Sequence, residues 1–474
     1  MSHLAHTNNP AKFEIGTYLR FAQDGQYTSA FSYLQPFVAQ APQNPDLLEL
    51  VSECYWQLGM KQRSLSVLQL VVQMYPQRQQ SIFCLAGRLG QIGQTEAAKA
   101  IYHALIQDNP DNVDAYIGLT FVEDLQPGNP TTERLRQFLD DPSLSRNNRY
   151  TLLTALGHIL KKHSPDEAFM LFTQSNALQE APYSPTEIEN EVEAQGKAFK
   201  SPVRIAQPPQ GNVPNFAFIV GLPRSGTTLL DAMLTRHPEI ASTNESTELV
   251  GARKMAQTLA EIKEQDGPAN YWSWTNTVGQ STLEHARSSF FSNVHLPVGA
   301  KPSLVINKLP HNRFELGFAQ MILPQNRSIF LMRHPLDVGL SLFTTNLKDG
   351  YEYTRRLEWI GHMIRQTYRS LDDFKSKLGD SLRVQSYRAL VTNTEPQMQA
   401  ILNHLEMPWD PACMSPESSE QAMVTAYSAQ VRNGVNSSGL GKWQKFECHL
   451  APLIDALGGW RWIKDWEARD ADLG

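Results

Sequence analysis

The stretch FAFIVGLPRSGTTLL, Phe216 to Leu230, decides how the rest of the chain is read. Phe216 to Val220 form a short apolar run of strand length. Gly221 to Gly226 interrupt it with two glycines and a proline. Leu229, Leu230, Met233 and Leu234 then return at helical spacing. The order is strand, tight loop, helix. A loop of this kind points backbone N–H groups and a helix N-terminus at one place, where an anion is favoured. Gly221 and Gly226 let the backbone turn and approach that anion closely, and Thr227 and Thr228 add hydroxyl donors.

The spacing is that of the phosphate loop GxxxxGK[ST], except that Thr227 stands at the lysine position. In nucleotidases and kinases that lysine holds the β- and γ-phosphates beside a magnesium ion. Here the cation is Arg224, inside the loop, and an arginine fork suits a phosphate-type oxyanion. A P-loop kinase stays an alternative, with a magnesium requirement as its sign.

Three more apolar runs end in functional residue types. Ser328 to Met332 is followed by Arg333-His334-Pro335 and a helix bearing Asp337 and Ser341. Leu304 to Asn307 is followed by Lys308, and Leu382 to Gln385 by Ser386-Tyr387. Taken singly, Arg333 and Lys308 read as surface charges and Ser341 as a helix-surface serine. Together, Arg224, Lys308, Arg333 and Tyr387 all follow strands, and open parallel sheets bind ligands outside the carboxyl ends of their strands.

The N-terminal part is repetitive. Gly25, Gly59 and Gly93 are 34 residues apart, as are Pro42, Pro76 and Pro110. A glycine in the turn and a proline after the second helix describe a helix–turn–helix repeat. The period ends near Pro127-Gly128. A further helix pair, Asn147 to Leu178, split at Ser164-Pro165, is expected to cap the array. Such arrays bind a peptide or protein on the concave face, or act as rigid spacers or dimerisation surfaces, and both readings stand.

PRSGTT, the Arg333/Ser341 pair and the late segment Gln430 to Asn436 with Gly441-Lys442-Trp443 occur in order between about Asn215 and Leu457. In this they resemble sulfotransferases, especially the tyrosylprotein type and bacterial relatives carrying tetratricopeptide repeats. The resemblance implies an α + α/β chain. A tetratricopeptide-like helical solenoid would occupy 11–180, a helix and proline-rich linker 181–214, and a P-loop-type parallel-sheet α/β sulfotransferase domain 215–465.

The resemblance also implies 3'-phosphoadenosine 5'-phosphosulfate as donor, an acceptor hydroxyl, and no metal. Arg224, Ser225, Gly226, Thr227 and Thr228 would hold the 5'-phosphosulfate, and Arg333 and Ser341 the 3'-phosphate. Tyr387, Arg432 and Lys442 would complete the donor site. Glu245, 21 residues after Arg224, would be the base, with Glu248 and His311 as rivals. Lys308 would meet the bridging oxygen, and Ser341 would modulate it. Relatives commonly have serine at Tyr427 and proline at Gly434. The likeness to tyrosine-modifying enzymes suggests a peptide or protein acceptor, with saccharide, lipid and small-alcohol hydroxyls left open. A binding scaffold with an inactive transferase-like domain is the other alternative.

Bulk properties fit this outline. A chain of 474 residues exceeds one core and suggests two or three domains. A net charge of −6 gives no footing for nucleic acid or an anionic membrane. Cys54, Cys84, Cys413 and Cys448 form no CxxC spacing, so a reducing, cytoplasmic setting is expected. The N-terminus lacks a basic, then apolar, leader pattern, and no apolar run approaches a membrane span. The oligomeric state leaves no mark in the sequence.

Overall fold

The structure, a computed structural model, describes residues 13–23, 26–179, 182–199, 205–207, 214–260, 272–294, 296, 301–347, 350–416 and 434–474. The chain divides into two compact units, one running to Glu123 and the other from Asp124 onward.

The first unit is helical: α1 (Ile15–Gln23), α2 (Tyr27–Gln40), α3 (Pro45–Gln57), α4 (Lys61–Met74), α5 (Gln79–Gln91), α6 (Thr95–Asp108) and α7 (Val113–Leu119). Helices α3, α5 and α7 begin at 45, 79 and 113, and α2, α4 and α6 at 27, 61 and 95, so the 34-residue period sets the helix starts. Gly59 and Gly93 take φ of 77° and 87°. At the first, Met60 N–H reaches back to Tyr55 O and Gly59 N–H to Trp56 O; at the second, Gln94 pairs with Leu89 and Gly93 with Gly90. That paired closure needs a left-handed residue, which is why glycine recurs there. Gly25 lies outside the described residues. Asn44 and Asn112 cap α3 and α7 through their side-chain oxygens.

The second unit opens with α8 (Pro130–Leu139), α9 (Arg146–Leu160), α10 (Pro165–Ala177) and α11 (Pro185–Lys197). A five-stranded sheet follows: β1 (Asn215–Gly221), β2 (Ile240–Ser242), β3 (Leu304–Lys308), β4 (Arg327–Met332) and β5 (Leu382–Ser386), in the order β2-β3-β1-β4-β5. Every pairing is parallel, with Ile219 opposite Lys308 and Gly221 opposite Leu331. The helices of the sheet region are α12 (Thr227–Leu234), α13 (Glu248–Leu259), α14 (Gln280–Asn293), α15 (Leu316–Ile322), α16 (Pro335–Phe343), α17 (Leu357–Leu378), α18 (Tyr387–Thr392) and α19 (Thr394–His404). Helices α20 (Ala451–Leu457) and α21 (Gly459–Ala471) end the chain.

The sheet is covered on both faces, and its strands divide accordingly. Phe216, Phe218 and Val220 enter one core with Phe330 and Met332. Ala217 and Ile219 enter the other with Ile306, Ile329 and Leu331. This is the period-two alternation of a strand buried on both sides, which reads in sequence as an unbroken apolar run. Strand β2 was not anticipated, because three residues are too few to show a period.

The expected limits at 180 and 214 do not coincide with the division at Glu123. Helices α9 and α10, expected to cap the repeats, belong to the second unit. Leu160, Ala168, Phe169 and Phe172 lie in the same core as Phe216 and Phe218. Gln195 of α11 donates to Ser370 O and Asp373 of α17. The helical pattern of α9 and α10 is real, but periodicity reports a buried stripe and not which neighbour buries it.

Phe172 is 1% exposed. Phe172→Ala should cost about 3–5 kcal/mol, measured by denaturant unfolding, and should destabilise the sheet-bearing unit rather than the repeats.

Candidate active site

The loop between β1 and α12 is shaped by positions that tolerate little change. Gly221 has φ 148°, and a Cβ there would lie 2.7 Å from Leu331 O. Arg224 adopts φ 74°, a left-handed conformation uncommon for a side-chain-bearing residue. Gly226 starts α12 at φ 105°, and a Cβ would meet the Tyr387 ring at 2.4 Å. The first N–H groups of α12 have no intrahelical partner and face the loop. Ser225 Oγ is buried without a hydrogen-bond partner among the described residues, as is Arg333 Nε. Buried donors left in this state fit a phosphate or sulfate group that would complete them.

Arg224 and Arg333 are tied together. Arg224 Nε donates to Ser341 Oγ at 2.8 Å, and Arg333 Nη1 donates to Arg224 O at 2.7 Å. The Arg333 guanidinium lies 4.8 Å from the Tyr387 ring centroid, and it also donates to Gly439 O. Asp337, near the start of α16, accepts from Gly441 N (2.8 Å) and Trp443 N (3.1 Å). His334 stacks on Trp443. These contacts seat the turn bearing Lys442, whose pKa is lowered by burial and by Arg333 and Arg224. Arg432 and Tyr427 lie outside the described residues. Gly434 is described, with φ 69°, a conformation that proline at this position would exclude.

A second cluster forms at the ends of β2 and β3. Lys308 is 1% exposed, and its Nζ donates to Glu245 Oε1 at 2.7 Å. A buried ammonium without a partner would cost several kcal/mol, roughly, so Glu245 is held by what Lys308 needs. Asn307 donates to Thr243 Oγ1, Ser246 O and Glu248 Oε2, and accepts from Asn312. Glu248 is thus a buried anchor of the loop that carries Glu245. Asp231 of α12 sits under the pair. Burial pushes its carboxyl pKa up, while Lys308 pulls it down.

His311, the other rival base, packs edge-on against Tyr351, and both its ring nitrogens are buried without a hydrogen-bond partner among the described residues. Burial and then Arg313 push its pKa down to about 4. At neutral pH it is a weak proton acceptor.

The sequence therefore pointed to Arg224 through Thr228, Glu245, Lys308, Arg333, Ser341, Tyr387 and Lys442, and the fold brings these to the carboxyl edge of one sheet. Asn307, Asn312 and Asp231 were missed. Asn307 ends the apolar run LVIN, and its position inside a buried strand was the available signal.

Residues 215–411 match the model of the sulfotransferase family. That span carries all five strands, from β1 to β5. A protein of Aquifex aeolicus (strain VF5) is 25% identical over 378 residues, covering 78% of this chain and 49% of its own length, so the match spans about half of that relative. Protein-tyrosine sulfotransferase 1 of Danio rerio is 24% identical, over 51% of this chain and 71% of its own. Protein-tyrosine sulfotransferase 1 of Homo sapiens is 23% identical, over 48% and 62%. The sulfotransferase domain of the Synechococcus PCC 7002 olefin synthase is 22% identical, with a TM-score of 0.36, over 51% of this chain and 91% of its own. No described helix of the chain is long and apolar enough to cross a membrane.

His311 also sets a pH dependence for the sheet-bearing unit. Its folded pKa, about 4, lies below the 6.5 of a free imidazole, so the unfolded chain takes up a proton that the native state refuses. Stability should fall as pH drops from about 6.5 to about 4. His311→Gln should lose about 2–3 kcal/mol less than the parent between pH 7 and pH 4, measured by urea unfolding at the two pH values.

Proposed function

We propose that this protein transfers a sulfuryl group from 3'-phosphoadenosine 5'-phosphosulfate to an acceptor hydroxyl. The observation that carries the reading is the Lys308–Glu245 ion pair beside a phosphate loop whose cation is Arg224 and whose lysine position is Thr227. The donor carries one 5'-phosphate with an attached sulfate, which needs less neutralisation than a triphosphate. The loop N–H groups, Ser225, Thr227, Thr228 and Arg224 would hold that end, and Arg333 with Ser341 the 3'-phosphate. Tyr387, Arg432 and Lys442 would complete the donor site, with no metal.

Transfer requires the attacking and leaving oxygens in line, with charge stabilised on the departing side. Glu245 takes the acceptor's proton as its oxygen bonds to sulfur. The bond from sulfur to the 5'-phosphate oxygen breaks, and Lys308 meets the charge that develops on that oxygen. Ser341, hydrogen-bonded to Arg224, would modulate Lys308 as well as contact the 3'-phosphate, and 3',5'-bisphosphoadenosine departs. Glu245 is 42% exposed, so a large acceptor can reach it. That exposure, and relatives named as protein-tyrosine sulfotransferases, support a tyrosine hydroxyl on a peptide or protein. The repeat unit would engage a peptide or protein partner. Free cysteines support a reducing, cytoplasmic setting.

Calorimetry separates this reading from its rivals. The protein should bind 3',5'-bisphosphoadenosine much more tightly than ATP, without magnesium. Tight, magnesium-dependent ATP binding would instead indicate a kinase, and binding of neither a scaffold. Incubation with labelled donor and tyrosine peptides tests the acceptor.

Glu245→Gln should leave bisphosphate binding nearly intact and lower turnover about a hundred- to ten-thousandfold, the usual contribution of a general base. A phenolic acceptor should recover part of that loss as pH approaches about 10, where it ionises unaided. Near-parental turnover in Glu245→Gln at neutral pH would remove it from the base's role.

A further inference from the structure

The end of α9 carries Lys161, outside the segment that holds the sulfotransferase motifs. Its position is set by docking. Thr154 Oγ1 donates to Asn346 Oδ1 at 2.9 Å, and Asn176 Nδ2 donates to Phe343 O at 2.8 Å. The Phe169 ring stacks on Phe343 (5.2 Å) and on His449 (4.6 Å). Helices α9 and α10 therefore sit against the end of α16, which bears Ser341, and against the turn 442–449, which begins with Lys442.

His158 orients the lysine. Lys161 Nζ lies 3.1 Å from His158 Nδ1, and the same imidazole hydrogen-bonds the Thr344 backbone, three residues beyond Ser341. Burial, with Lys161 beside it, pushes the His158 pKa down to about 3, so the neutral ring accepts from the ammonium. One of the three ammonium donors is thereby used, and two remain.

The neighbourhood is cationic. Lys161 lies in the field of Lys442, Lys162 and Arg224, and Lys442 in that of Arg333 and Arg224. Burial and these like charges both disfavour the charged lysines, so the convergence works against stability. A lysine at a helix C-terminus is ordinary by itself, since it complements the helix dipole. That account does not explain why cations from α9, the phosphate loop, the end of β4 and the late turn share one field. An anion among them does.

We propose that Lys161 is a donor-binding residue, its ammonium group taking the 3'-phosphate together with Arg333 and Ser341. The inference rests on the donor reading given above. It extends the nucleotide site to the helix pair ahead of the sheet.

The test is calorimetry of the full chain with 3',5'-bisphosphoadenosine and with adenosine 5'-monophosphate. The parent should prefer the bisphosphate. Lys161→Gln should lose about tenfold or more in affinity for the bisphosphate, as for a charge-assisted hydrogen bond, and little for the monophosphate. Lys161→Arg should restore most of the preference, and both variants should melt near the parent's temperature. An unchanged preference in Lys161→Gln, or an equal loss for both ligands that arginine does not rescue, would overturn the assignment of Lys161. A parent that does not distinguish the two nucleotides would overturn the donor reading itself.

Discussion

Strand β1 is the constraint on which the site depends. Its side chains alternate between two cores, and its backbone is bonded to β3 on one side and β4 on the other. No register shift is available to it, because moving by one residue would exchange Phe218 with Ile219 between differently shaped interiors. Gly221 must therefore leave the sheet level with Leu331, and the loop that follows has little freedom. The Tyr387 ring presses on Gly226 from β5's end of the sheet, and Arg333 presses on Tyr387. The loop after β1 is held from neighbouring strand ends as well as by its own Ser225 N–H to Leu222 O bond.

The two charged clusters follow from the same parallel arrangement. Strands β1, β3, β4 and β5 each deliver a residue at or just beyond the carboxyl end, so groups distant in sequence meet there. Lys308 is the clearest case. It is placed by strand register, buried by the loop from Thr243 to Glu248, and left needing a carboxylate. Asn307, one residue earlier, ties that loop down from beneath through Glu248. The acidic residue fully enclosed by protein is thus an anchor, and the one left partly open to solvent is available for chemistry.

Much of this was legible in the sequence because strand ends and loop glycines carry local signatures. The runs FAFIV, LVIN, SIFLM and LRVQ each mark a strand, and the cation or tyrosine after each run marks its edge. The helix starts of the repeats follow from Gly59 and Gly93, whose left-handed turns permit little else. What could not be read was partnership across the fold. Helices α9 and α10 show an apolar stripe like that of the repeats, yet the stripe meets the sheet's core. Asp231 looks like any polar residue in a helix until Lys308 is seen above it. β2 is too short to have a pattern.

The division of the chain at Glu123 has a consequence for how such proteins are assembled from parts. A genetic exchange at that seam would swap the repeat array whole and hand a new one to an intact sheet-bearing unit. An exchange at the apparent motif boundary, beyond residue 180, would carry Phe169 and Phe172 away with the array and leave their core open. Recombinants that survive should therefore keep α8 to α11 with the sheet, and those four helices should travel as a hereditary companion of the sheet rather than of the repeats.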